Sequence, residues 1–391
     1  MSDAIVCLTH LRWDFVFQRP QHLMTRLAKR RRIVFYEEAV VDDGPTRLEV
    51  RDVSANVQVI VPHVSRTSGR DPRAIALHQR QLLDGFMGRD QIRSYVLWYY
   101  TPMALAFSAH LQGQPTVYDC MDELSLFVGA PPDLCRREAE LLRRADLVLT
   151  GGQSLYEAKR GLHANVHALP SSVDCPHFAA ARVRGSDPLD QASIAHPRIG
   201  YAGVIDERMD LDLIAAVAAH RPNWQLVLLG PVTKIDPATL PRAANIHYLG
   251  MKPYADLPAY MAGWDAGMLP FGRNEATRFI SPTKTPEYLA AGLPVVSTSI
   301  RDVVAPYGQL GLAHIADTPA EFVRATQVAL SSDPRRHRAA ADGFLASTSW
   351  DETVRRVERL LERTRSAAFM RATLPIGLRA REATDGEMAD V

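Results

Sequence analysis

The sequence predicts an α/β protein made of two doubly wound halves, each a mostly parallel sheet flanked by helices. Three observations predict it. Short apolar runs alternate with helical periodicity over residues 1–170 and again from residue 197. Between the two series, residues 171–196 are rich in Pro, Gly, Ser and Asp with little periodicity, as an interdomain linker would be. The 391 residues, 47% of them hydrophobic and 23% charged, describe a globular chain long enough for two domains with sizeable cores.

In the first half, strands are expected at Ala4–Leu8, Ile33–Tyr36, Tyr95–Tyr100, Pro115–Tyr118, Leu147–Leu149 and Val166–Leu169. Leu48–Val53 and Val57–Val61 suit a hairpin or two further strands. Helical spacing marks Gln18–Arg30, Pro72–Phe86, Pro102–Leu111, Asp133–Arg144 and Gln153–Arg160. The second half offers strands at Arg198–Tyr201, Gln225–Leu229, Asn245–Tyr248, Asp265–Leu269 and Pro294–Ser297. Its helices are expected at Leu211–Ala219, Asp256–Met261, Ala320–Leu330, Arg335–Ala346 and Trp350–Arg363. The last carries one apolar stripe, Val354, Val357, Leu360 and Leu361, and a stripe that wide calls for burial. The mixed tail 367–391 is expected to be poorly ordered.

Composition excludes several functions. A net charge of +1 provides no basic field for nucleic acid. Cys7, Cys120, Cys135 and Cys175 lack Cys-x-x-Cys spacing, and fit reduced thiols better than a metal site or disulfides. No apolar run approaches the roughly 20 residues that span a bilayer, and no signal segment is visible. A cytoplasmic protein is expected, at most peripheral to a membrane. The basic runs Lys29–Arg32 and Arg136–Arg144 read as solvated helix ends or as a grip on anionic lipid. No Gly-x-Gly-x-x-Gly follows the first strand, which argues against a dinucleotide dehydrogenase. Asp210-Leu-Asp212 spells Asp-x-Asp, but at a predicted helix start, where acids suit the dipole; no metal is expected.

The chemistry concentrates in Thr277-Arg-Phe-Ile-Ser-Pro-Thr-Lys-Thr-Pro-Glu-Tyr-Leu-Ala-Ala-Gly-Leu-Pro-Val-Val296, a loop, a short helix and a buried strand. Ser281 or Thr283 suits the helix cap, Pro282 or Pro286 its first turn, and Gly292 its end. Lys284, Glu287 and Tyr288 share one face. Free N–H groups at the helix start attract a phosphate, and Lys284 adds a charge. One turn on, Glu287 can accept from two sugar hydroxyls. Diphosphate plus ribose describes half of a nucleotide-sugar. A capped amphipathic helix with a solvated Lys–Glu pair fits the same spacing.

Two α/β halves, a linker and a late Ser-Pro-Thr-Lys-x-x-Glu-Tyr-Leu-Ala-Ala-Gly-x-Pro-Val-Val segment resemble the GT-B glycosyltransferases, in particular bacterial polysaccharide-assembly enzymes of glycosyltransferase group 1. Leu169-Pro-Ser-Ser-Val-Asp-Cys-Pro-His-Phe178 resembles the family's Pro-Asn-Gly-Val-Asp-x-x-x-Phe linker, with Ser171 and Ser172 replacing Asn and Gly. Ile199-Gly-Tyr-Ala-Gly-Val-Ile-Asp-Glu-Arg208 is similar to the first strand and loop of the nucleotide domain, and Asn245-Ile-His-Tyr-Leu-Gly250 to the strand before the base-holding loop.

The resemblance implies two Rossmann-like domains facing a central cleft. Residues 1–170 would form the acceptor side and 197–346 the nucleotide-sugar side. Residues 347–366 would cross back as a helix onto the first domain. It implies a cytoplasmic hexosyltransferase, with a nucleotide-diphosphate sugar as co-substrate, no cofactor, and a bacterial glycan or lipid-linked acceptor. The donor-binding residues it implies are Gly203, Arg208, Met251, Ser281, Thr283, Lys284 and Glu287. The family often has Arg where Gly203 stands and Lys where Arg208 stands. Phe279 replaces the first Glu of the family's Glu-x7-Glu, and Tyr118-Asp-Cys-Met-Asp-Glu123 lacks the His common after this strand, so the stereochemical outcome stays open. Asp119, nearest the strand end, is the expected base, with Asp122 beside it on the cleft. Arg12 or Arg19 would meet the departing diphosphate, and Trp13 would stack on a sugar ring. A GT-B-shaped binding protein without transferase activity and a nucleotide-sugar epimerase are the other readings.

Overall fold

The computed structural model describes residues 4–68, 71–183 and 185–373. The first half supplies β1 (Ala4–Leu8), β2 (Ile33–Tyr36), β3 (Val40–Asp42), β4 (Arg47–Ser54), β5 (Val57–Ser65), β6 (Tyr95–Tyr99), β7 (Thr116–Cys120), β8 (Leu147–Thr150) and β9 (Val166–Ala168). They form one sheet in the order β3-β5-β2-β1-β6-β7-β8-β9, and β4 pairs antiparallel with β5. The helices are α1 (Arg19–Leu27), α2 (Pro72–Arg89), α3 (Leu105–Ser108), α4 (Leu134–Arg144) and α5 (Gln153–Lys159). Strands β1, β2, β6, β7 and β8 are buried along their whole length, which is why they read as near-continuous apolar runs.

After α6 (Cys175–Ala179), the second half supplies β10 (Arg198–Ala202), β11 (Gln225–Leu229), β12 (Ile246–Gly250), β13 (Ala266–Leu269), β14 (Val295–Ser297) and β15 (Ala313–Ile315). This sheet is parallel throughout and ordered β12-β11-β10-β13-β14-β15, the order of a Rossmann sheet. Its helices are α7 (Leu211–His220), α8 (Leu257–Met261), α9 (Lys284–Ala291), α10 (Arg301–Val303), α11 (Pro319–Ser331) and α12 (Pro334–Leu345). Among the described residues no helix is long and apolar enough to cross a membrane.

The final helix, α13 (Trp350–Thr373), lies on the first sheet. Trp350, Val354, Val357, Leu360 and Leu361 join the core cluster of Ile5, Val96, Trp98 and Leu149. The Trp350 ring stacks on His22 of α1 at 4.7 Å, and Arg26 meets Asp351 at 3.5 Å. The helix runs seven residues beyond the expected boundary at Ser366; residues 374–391 of the expected tail lie outside the described residues.

The expected linker is shorter than 171–196. From Val173 onward the chain belongs to the second core: Val173, Phe178 and Ile194 are buried in it. Gln191, fully buried, donates to the Tyr260 carbonyl and accepts from the Trp264 indole. Anchors so irregularly spaced leave no periodicity to read. The expected helix Pro102–Leu111 is a 3₁₀ turn followed by α3, and the three-residue strands β3 and β15 are too short to alternate.

Because α13 completes the first core, Trp350→Ala is expected to cost about 3–5 kcal/mol. Amide exchange should show β1, β6 and β8 losing protection while β10, β11 and β13 keep theirs. Equal loss in both sheets would contradict a helix serving the first domain.

Candidate active site

Both sheets are doubly wound, and in each the strand order reverses beside its first strand, at β1–β6 and at β10–β13. Ligands of such sheets bind beyond the carboxyl ends at that point. Here the loops after β1, β7, β10, β11, β12 and β13 converge on one cavity of about 420 Å³ between the domains.

The second-domain wall is built around α9. Gly267 has no Cβ, which lets Tyr288 pack on β13, and the Tyr288 hydroxyl accepts from the Ala202 N–H at 2.9 Å. Gly292 ends the helix in the left-handed conformation, φ 83°. Thr283 is the N-cap residue and its side chain makes no capping bond; Thr285 N–H donates to the Pro282 carbonyl at 3.3 Å and Pro286 has no N–H, so Lys284 carries the positive character of this first turn on the cavity side. A Cβ at Gly203, φ +153°, would lie 2.1 Å from Lys284 Cε and 2.5 Å from its Nζ. The Lys284 ammonium sits 5.3 Å from the Tyr201 ring centroid and 5.9 Å from that of Phe271. Burial, then the neighbouring Arg208 charge, pushes Lys284 down to about 8. Burial pushes Glu287 up to about 7 against the opposing pull of Lys284 and the Thr283 hydroxyl. Arg208 is not free: its Nε and Nη2 bond to Asp206, with the closest contact 2.7 Å. Met251 opens the loop after β12 and lines the cavity, as does Ser281, whose carbonyl also accepts from Ser171 Oγ at 2.6 Å at the domain junction.

The first-domain wall departs from expectation. Asp119 is fully buried, with the Arg19 guanidinium on its carboxylate at 2.9 Å, and Arg19 also donates to the Leu169 carbonyl. Asp119 is thus sealed in the core away from the cavity, while Arg19 lines the cavity with its guanidinium already paired. Arg12 is pinned to Glu37 and to the Glu38 carbonyl at 2.9 and 2.8 Å. Trp13 packs edge-on against Phe35 at 4.9 Å and also lines the cavity. Side chains alternate along a strand; Asp119 points inward on β7, and Asp122, past the strand end, lines the cavity. Burial pushes Asp122 up to about 6, against the pull of Arg208, Lys234 and Lys284. Its neighbour Glu123 is held by Lys159 of α5 at 2.7 Å, and Lys159 also meets Glu138.

Three contacts between the walls bear on the cavity. Phe17 stacks on Tyr254 at 4.6 Å. Phe127 of the loop after β7 lies under the Arg208 guanidinium at 5.4 Å. Asp302 accepts from the Gln153 and Ser154 N–H groups of α5 at 2.9 and 3.0 Å, an approach that any side chain at Gly152 would block. Lys234, Phe127, Tyr254 and Asp206 carry no motif that would single them out. Asp210 of the Asp-x-Asp sequence caps α7, accepting from the Leu213 N–H at 2.8 Å.

Known proteins bear on this geometry. Residues 196–332 match the family model described as glycosyl transferases group 1. The chain is 26% identical over 258 residues to TuaH of Bacillus subtilis (strain 168), whose name gives it as a teichuronic acid biosynthesis glycosyltransferase. That match covers 61% of this chain and 64% of TuaH, so it spans less than two thirds of the relative. In fold, the chain is similar to a sucrose-phosphate synthase from Thermosynechococcus elongatus, with TM-score 0.70 and 14% identity over 93% of this chain and 100% of that one. It is also similar to an α,α-trehalose 6-phosphate synthase from Burkholderia multivorans, with TM-score 0.68 and 16% identity over 96% and 99% of the two chains. By sequence, residues 196–332 form a glycosyl transferases group 1 region, and by fold the chain has the GT-B architecture.

Proposed function

We propose that this chain transfers a sugar from a nucleotide-diphosphate sugar to a hydroxyl of a bacterial glycan or lipid-linked acceptor, in polysaccharide biosynthesis and without a metal ion. The observation that carries the reading is the pairing of Lys284 and Glu287 on one face of α9, both lining the interdomain cavity. The donor diphosphate sits at the α9 N-terminus against Lys284 and Arg208, and its ribose hydroxyls donate to Glu287. The base rests in the loop that begins at Met251. The acceptor oxygen attacks the anomeric carbon, and the bond from that carbon to the diphosphate oxygen breaks. Lys284 and Arg208 stabilise the charge that develops on the leaving group, the role a divalent ion would otherwise fill. The acceptor proton goes to Asp122, which replaces Asp119 in this role. The setting is cytoplasmic, with peripheral contact to the membrane where the acceptor is lipid-linked.

Three measurements test the reading. Purified protein offered nucleotide-sugars should release nucleoside diphosphate only when a glycan or lipid-linked acceptor is present, at the same rate with EDTA. Release without acceptor, or loss restored by Mg²⁺ or Mn²⁺, would overturn the transferase or the metal-free form of it. Glu287→Ala should weaken nucleoside diphosphate binding by roughly 1.5–3 kcal/mol, the range for a hydrogen bond to a charged group; unchanged calorimetric affinity in a folded variant would remove Glu287 from the ribose.

The third is a pH profile. Asp122 is ionised above about 6 and protonated below it, so it accepts a proton only on the alkaline side. kcat/KM for the acceptor should therefore fall as pH drops through about 6, and Asp122→Asn should be slow and lack that limb. An unaltered limb in Asp122→Asn assigns the proton elsewhere.

A further inference from the structure

The diphosphate half of the cleft is poorly supplied with positive charge. Arg208 is bonded to Asp206, and Lys284 has Glu287 one helical turn away. Two cations thus stand beside two carboxylates, and Gly203 contributes none.

Lys234, in the loop after β11, is placed to change that balance. It is left-handed at φ 59°, one of two non-glycine residues with positive φ among those described. Such a conformation persists where the surroundings over-determine it. Here they do: Ile205 N–H donates to the Pro231 carbonyl, Thr233 N–H donates to the Ile205 carbonyl, both at 3.0 Å, and Ile205 bridges Val232. The loop after β11 is therefore fastened to the loop after β10 that carries Gly203 and Arg208. Its ammonium lies 4.8 Å from the Phe127 ring centroid, and the Arg208 guanidinium lies 5.4 Å from the same centroid. Two cations of the second domain thus meet on one ring of the first. Glu207 is the carboxylate near Lys234, at 3.6 Å, and the lysine side chain is half-exposed, so that pair is screened. The Lys234 charge is felt inside the cleft. It adds to burial in pushing His10 down to about 4, and it acts on Asp122.

We propose that Lys234 is a third ligand of the donor diphosphate, supplying from the loop after β11 the positive charge that Gly203 leaves out of the loop after β10. This rests on the nucleotide-sugar reading of the cleft. The pinned backbone holds the half-exposed side chain over Phe127, the ring that the Arg208 guanidinium also approaches. The Phe127 face holds the ammonium at the cleft mouth without neutralising it, because a ring quadrupole attracts a cation but carries no net charge.

The test is calorimetric titration of the full chain with UDP, GDP, ADP and TDP, then with the monophosphate matching the tightest binder. Lys234→Met, which keeps the stem and removes the charge, should weaken the diphosphate about tenfold and the monophosphate less than about twofold. Lys234→Arg should restore the diphosphate affinity. Equal weakening of both ligands, or no weakening of either, would overturn the proposal, since a purely structural clasp on Phe127 has no reason to distinguish them. If the unaltered chain binds none of the four diphosphates, the nucleotide-sugar reading falls and this inference with it. If it binds one and Lys234→Met binds it as well, the inference alone falls.

Discussion

The cleft is set by one close approach. Lys284 occupies the space that any side chain at position 203 would need. A glycine there, with its positive φ, allows a buried ammonium to lie over Tyr201 and Phe271 at the mouth of α9. The same approach fixes α9 against β10 through the Tyr288 hydroxyl on Ala202, and so fixes where Glu287 points. A side chain at 203 would displace the end of Lys284 from this seat.

The two walls differ in how their charges are used. On the first domain, Arg12, Arg19 and Asp119 are tied into pairs within that domain. They stiffen the loop after β1 and the end of β7. On the second domain, Arg208 is likewise paired with Asp206, but Lys284 lines the cavity with no carboxylate in ion-pair contact among the described residues. A buried pair such as Arg19–Asp119 is costly to break, because either partner alone would be an uncompensated buried charge. It is a framework element, and the groups free for chemistry on that wall begin one turn further along, at Asp122.

Much of this was legible in the residues. Parallel strands buried on both faces announce themselves as apolar runs, and the boundaries of β1, β2, β10 and β11 fall within a residue or so of where those runs stop. The Lys284–Glu287 spacing has only one helical interpretation, a shared face. For Trp13, Arg12 and Arg19, residue type and loop position say that a group is capable of binding, not whether a core partner also holds it. Asp119 and Asp122 differ by three positions, and only the pleat of β7 and the path beyond it decide which one is wet. Lys234 had no signal at all. Its place depends on one left-handed residue and on a loop-to-loop bridge, neither of which leaves a pattern in composition or spacing. Residues 173–196 were read as loose because their anchors, such as Gln191 and Phe178, are isolated contacts without a period.

The return of α13 to the first sheet has a consequence for synthesis. The apolar face around Ile5, Val96 and Leu149 is made early, yet the residues that cover it lie at Trp350–Leu361, after the whole second domain. A chain emerging from the ribosome can finish its second domain while the first still shows an uncovered oily face. For that interval the nascent protein is most exposed to aggregation and most in need of a chaperone. The domain translated first is the one completed last.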